Sequence, residues 1–165
     1  MHTEKDLFEY LDKIEILHKT YYHEPVLTVE QAEKAYINSP AFGQCKNLFL
    51  KDRRKKIWLL VAHKDTNIML KKIAKALDAP ELRFASPELL KENLGVAPGA
   101  VTPFGVLNDS EHKVNVILDP ALFDYELVGF HPLHNAATTL IKPADLKKFI
   151  EQQGNTIIML PQLSA

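Results

Sequence analysis

Gln44-Cys45-Lys46-Asn47-Leu48-Phe49-Leu50-Lys51-Asp52 is the stretch on which the fold turns. Leu48, Phe49 and Leu50 are apolar and the charged run Asp52-Arg53-Arg54-Lys55-Lys56 follows at once, so the segment reads as a β-strand entering a turn. Strand side chains alternate between faces, which aligns Lys46 with Leu48 and Leu50 and points Cys45 the other way. A lysine in line with two leucines has two readings. Either it sits at the strand's end and runs its head out to water, or its ammonium is held at the mouth of an apolar pocket to meet an oxygen-rich ligand. Lys56 to His63 is a second apolar run, and the short basic connection predicts an antiparallel hairpin.

Upstream, Thr3 is an N-cap candidate for a helix over residues 3–14, with Leu7, Phe8, Leu11 and Ile14 at helical spacing. Residues 16–22 read as a strand, and Thr28 with Gln31 forms a capping-box pattern for a short helix through Tyr36. Downstream, Asp65 or Thr66 is expected to cap a helix with Ile68, Met69, Ile73, Ala76 and Leu77 on one side. A short strand at 82–84 precedes Ser86-Pro87, the favoured N-cap and N1 order for a helix that Gly95 ends. Strands are predicted at 114–118, from 127 to 130 and at 156–160, with a helix from Pro143 to Gly154. Mixed elements joined by both hairpins and helical crossovers predict an α/β (mixed α+β) sheet in a single domain spanning residues 1–165.

Composition bounds the function. With 20 Lys+Arg against 21 Asp+Glu, bulk charge does not steer the chain to nucleic acid, so any RNA contact must come from a local patch. One cysteine, Cys45, excludes an intramolecular disulfide framework and a multi-cysteine zinc site, and fits a reducing cytoplasm. The charged amino terminus and the lack of a long apolar run predict neither signal peptide nor membrane span.

Three further stretches bear on chemistry. Gly95 to Gly105 holds three glycines and two prolines, which predicts a shaped loop: a stiff cradle of amides for an oxygen-bearing ligand, or a structural turn. The basic turn Arg53, Arg54 and Lys55 is either solvated or an edge that touches phosphates. His131 and His134 stand three apart, but Pro132 interrupts and no third ligand is apparent, so no metal is expected.

Taken together, Lys46-Asn47-Leu48-Phe49-Leu50 with Lys51-Asp52, Leu94-Gly95, Pro98-Gly99, Val101-Thr102-Pro103-Phe104-Gly105, Asn108-Asp109, and Phe130-His131-Pro132 with Asn135 and Thr138 resemble the YbaK/ProX family of aminoacyl-tRNA editing domains. The match is nearest the free-standing alanyl-tRNA(Pro) deacylase branch, and it covers about residues 1 to 160. The resemblance implies a mixed sheet curving toward a barrel, hydrolysis of the ester between a wrong amino acid and the terminal ribose of tRNA, and no cofactor. It implies Lys46 as the essential basic residue and Asn47 beside it in substrate positioning. Gly99, Ala100, Val101, Thr102 and Pro103 would form a G-x-x-x-P backbone element, and His131, with Asn135 near it, a pocket that selects the aminoacyl group. The implied partners are the acceptor end of a misacylated tRNA and, transiently, prolyl-tRNA synthetase, with a monomer, no DNA and no membrane expected.

The residues are compatible with that chemistry. Ester hydrolysis builds negative charge on the carbonyl oxygen, which a positioned ammonium or loop amide stabilises most in the transition state. Protonated lysine only donates, so Lys46 is better cast as an anchor for phosphate or carbonyl oxygen than as a base. No convincing nucleophile appears, and the resemblance suggests water assisted by the ribose 2′-hydroxyl. Cysteinyl-tRNA(Pro) deacylation and a non-catalytic tRNA- or synthetase-binding module are the competing readings.

Overall fold

The computed structural model describes residues 1–25 and 28–161. In chain order the helices are α1 (Glu4–Lys13), α2 (Val29–Ala35), α3 (Leu70–Leu77), α4 (Pro87–Leu94) and α5 (Pro143–Gln153). The strands are β1 (Lys19–Tyr22), β2 (Gly43–Lys51), β3 (Ile57–His63), β4 (Arg83–Phe84), β5 (Val114–Leu118), β6 (Val128–Phe130), β7 (Ala137–Ile141) and β8 (Ile157–Met159). They form one mixed sheet in the order β1-β7-β6-β2-β3-β5-β8, with β4 added on β2.

Local signals in the sequence account for most boundaries. Thr28 and Gln31 make the expected reciprocal capping box at 3.0 and 3.1 Å. Ser86 caps α4, and Gly95 ends it in the left-handed region at φ 69. The β2–β3 hairpin is held by buried Asp52, which accepts from Lys56 N at 3.0 Å and Trp58 Nε1 at 3.3 Å. Two expectations are corrected and one strand is added. Helix α3 starts after Met69, because the Thr66 hydroxyl instead donates to Asp119 Oδ2 at 2.6 Å. The glycine-proline loop tightens into a 3-10 helix at Pro103–Asn108, with Thr102 as its cap. Residues Ala137–Ile141, which show no strand alternation, form β7 because both of their faces are buried.

Two apolar layers sandwich the β2–β3–β5 core. Phe49, Leu59, Val61, Val116 and Leu118 face one cluster, which α1, α4 and α5 complete; Leu50, Trp58, Leu60 and Ile117 face the other, under α3. All seven residues of β3 are buried, and each large aliphatic chain so removed from water contributes about 1.5–3 kcal/mol. Asn115, which has no role in the sequence pattern, donates to Ile57 O at 3.2 Å and ties β5 to β3.

One irregularity places the site. On the edge of β2 away from β3, β6 pairs only with Gly43 and Gln44, and β4 only with Leu50 and Lys51. Between them the edge of β2 has no strand partner, and the sheet opens there.

Candidate functional site

The opening holds a recess of about 270 Å³ lined by eleven residues from five separated segments, the fifth being Thr138 of β7. Cys45 and Asn47 come from the unpartnered part of β2, Gly99 and Val101 from the loop, Phe130 and His131 from the end of β6, and Tyr36 from the end of α2. Gly129 is required by packing: a Cβ there would stand 2.7 Å from the Phe42 ring and 2.8 Å from Thr138 Cγ2.

Asn47 fastens the loop to the strand. Its Nδ2 donates to Val101 O at 3.2 Å, while its Oδ1 is buried with no hydrogen-bond partner. Gly99 has φ +90, a conformation that admits glycine most readily. Ala100 N donates to Ala97 O at 3.0 Å, but among the described residues the amides of Gly99 and Val101 donate to no protein group.

On the opposite wall, His131 Nδ1 donates to Ala137 O at 2.8 Å, which leaves Nε2 as the acceptor. Burial holds the His131 imidazole below its ordinary pKa, against the opposing pull of the Ala137 carbonyl, so it is neutral at neutral pH. Thr138 Oγ1 lies 2.8 Å from Tyr36 Oη and 2.9 Å from His23 Nε2.

The predicted site residues divide. Asn47, Gly99, Val101 and His131 are brought together on the recess wall. Ala100, Thr102 and Pro103 are not: their side chains are buried in the core, and they act on the recess only through the shape of the loop. Asn135 stands behind Gly99, its Nδ2 3.8 Å from where a Cβ would be. Lys46 is half-buried and does not line the recess; its partner across β3 is Ala62, on the strand face opposite Cys45 and Asn47. Gln44, which shares Lys46's parity, does line it. Cys45, which alternation turns away from Lys46, is thereby on the wall. Burial pushes its thiol up to about 12, so it is no nucleophile. Arg53 and Arg54 lie in the turn at the far end of β2, 3.7 Å from Glu81 and 3.4 Å from Asp78; Lys55 is exposed beside them.

Sequence reasoning did not single out Tyr36, Phe42, Gln44 or Gly129. A glycine inside an apolar strand run was the available signal, since it marks close approach by another group.

The model of the aminoacyl-tRNA editing domain matches residues 23–149. The chain belongs to that family. It is 39% identical over 147 residues, 88% of its length and 89% of the relative's, to the prolyl-tRNA editing protein ProX of Acetoanaerobium sticklandii. A prolyl-tRNA synthetase associated domain-containing protein 1 of Danio rerio is 35% identical over 158 residues, covering 94% of this chain and 85% of the relative. Among solved structures, a candidate trans-editing enzyme for prolyl tRNA synthetase superposes with a TM-score of 0.72 over 98% of this chain and 99% of that one; at 21% identity it supports the fold. Among the described residues no helix is long and apolar enough to cross a membrane, and no cluster of three or more His, Cys, Asp or Glu is placed to hold a metal ion.

Proposed function

We propose that this editing domain hydrolyses the ester joining a wrong amino acid to the terminal ribose of tRNA(Pro), with alanine the favoured residue. One observation carries this reading: a small recess whose wall combines Asn47, the Gly99–Val101 loop with its free amides, and His131. A synthetase pocket built for proline cannot strongly exclude alanine, because one missing methylene is worth only about 1–3 kcal/mol. A second, narrower site removes what passes the first.

Water is the nucleophile in this scheme. Cys45 is held as a thiol, and the Thr138 hydroxyl is engaged with Tyr36 and His23. The ribose 2′-hydroxyl of the substrate assists the water. The water oxygen bonds to the carbonyl carbon, the bond from that carbon to the ribose oxygen breaks, and a proton from the water passes to the departing ribose oxygen, leaving the free amino acid and the tRNA hydroxyl. The free amides of Gly99 and Val101 suit the developing oxyanion. Lys46, on the far side of the strand from the wall, is assigned the phosphate of the terminal nucleotide at the rim, where an ammonium acts as a point charge. The acceptor end of tRNA is thus the partner, with prolyl-tRNA synthetase as a transient one.

Incubation with alanyl-, cysteinyl- and seryl-tRNA(Pro) tests the reading. Preferential release of alanine is expected. Preferential release of cysteine would reassign the substrate within the same chemistry, and stability of all three esters would leave a binding module.

A further inference from the structure

Gly99 and Val101 line the recess from one loop and His131 from another, and the entry to α1, His2 to Glu4, holds both loops. Asn108 joins the two feet of the first. It ends the 3-10 helix that follows the loop, and its Nδ2 donates at 3.0 Å to Leu94 O, the last residue of the helix that precedes it. Gly95 leaves room for this, since a Cβ there would stand 2.5 Å from Asn108 Nδ2. His2 N then donates to Asn108 Oδ1 at 2.7 Å, across 106 residues of sequence. The second loop, between β6 and β7, carries His131, His134 and Asn135. There Ala136 N donates to His134 Nδ1 at 3.1 Å, so the ring proton lies on Nε2, and Glu4 Oε2 stands 3.3 Å from that nitrogen. Tyr22 Oη, from β1, donates to Glu4 Oε1 at 2.6 Å and orients the carboxylate.

Little slack separates the two grips. Thr3 N donates to Asp6 Oδ2 at 2.8 Å and Asp6 N to Thr3 Oγ1 at 3.4 Å, a capping box that sets His2 and Glu4 relative to the helix. Leu7 and Leu11, on the following turns, are fully buried in the core and anchor that helix. We infer that the entry to α1 is a brace that sets the spacing of the two loops, with Glu4 and Asn108 as positioning residues. Neither lines the recess. Their effect is on fit: the Gly99 and Val101 amides and the His131 wall must meet one substrate at the same time, and a displacement of about 1 Å caused far from the chemistry can cost on the order of 10²-fold. Glu4 and His134 are partly exposed, so their contact adds little to global stability, and its loss should show in the recess rather than in unfolding.

Cys45 lines the recess, so its rate of reaction with a disulfide reagent in the native protein reports the spacing of the loops without reference to any reaction of a ligand. Glu4→Ala is expected to raise that rate about tenfold while the urea midpoint stays in place. Glu4→Gln, whose amide keeps an oxygen for His134 and a donor for Tyr22, should return it to the parental value. Glu9→Ala, on the exposed side of the same helix, should leave it unchanged. An unchanged Cys45 rate in Glu4→Ala overturns the brace, and so does a faster rate that comes with a lowered urea midpoint. A kinetic measurement on the same variant rests on the deacylase reading: kcat for alanyl-tRNA(Pro) should fall about tenfold with KM little changed. A Cys45 response in a protein that cleaves none of the three esters keeps the brace and refutes the deacylase; parental kcat with an unchanged Cys45 rate does the reverse.

Discussion

At the Lys51 end of β2, charge is abundant and its partners are local: Arg53 faces Glu81, Arg54 faces Asp78, and Asp52 is buried under the turn with its oxygens on Lys56 N and Trp58 Nε1. At the Gln44 end, nine residues or fewer away along the same strand, the wall holds no paired ions. It has an orphaned amide oxygen, a thiol and a neutral imidazole. In the turn, polar groups satisfy one another and set the hairpin. In the recess, backbone carbonyls take the Asn47 and His131 donors, while Asn47 Oδ1 and the Gly99 and Val101 amides have no protein partner. Unspent hydrogen-bonding capacity, rather than charge density, is what distinguishes a site from a surface here.

Four measurements would break or sharpen this contrast. With its thiol pushed up to about 12, Cys45 should react with a disulfide reagent at pH 8 on the order of 10³-fold slower in the native protein than in the unfolded one; comparable rates would mean that the wall is wetter than its burial indicates. Lys46→Ala should lower kcat/KM for alanyl-tRNA(Pro) by about 10²-fold while leaving the urea midpoint in place, since Lys46 has no hydrogen-bond or ion-pair partner among the described residues. A normal rate would remove Lys46 from the mechanism. At the other end, Asp52→Ala should reduce stability by about 2–3 kcal/mol by stranding the Trp58 and Lys56 donors, and unfolding curves that coincide with the parent protein's would show the turn to be held by something else. The smallest effect is expected from neutralising Arg53, Arg54 and Lys55. Existing ion pairs should keep the change in the salt slope of tRNA binding below about one unit, whereas a fall of about one unit per residue would establish them as phosphate contacts.

Much of this was legible from residues that act locally. Thr28 with Gln31, Ser86 with Pro87, and Gly95 and Gly154 set helix ends through groups within a few positions, and the hairpin follows from the run after Leu50. What depended on distant partners was not. The start of α3 was misplaced because Asp119, over fifty residues away, claims Thr66. Strand β7 was missed because burial on both faces erases the alternation that announces a strand. For the site, the family motifs pointed to Asn47, Gly99, Val101 and His131, and the recess contains them. Emphasis on Lys46 ran the other way: parity sets it opposite Cys45 and Asn47, but which face carries the recess depends on where β6 leaves β2. Tyr36 had no signal, because its place on the wall is tied by a hydrogen bond to Thr138, over a hundred residues away in the sequence.

The dispersion of the recess wall has a consequence for biosynthesis. Its residues run from Tyr36 to Thr138, and Thr138 is positioned by β7 pairing back onto β1, a partner more than a hundred residues earlier in the chain. When the hairpin and α4 have been synthesised, the β6, β7 and loop residues of the recess wall have yet to be made. Closure waits for the β1–β7 pairing, a long-range contact of the kind that forms slowly, so a chain ending before β7 lacks the Thr138 wall of the recess.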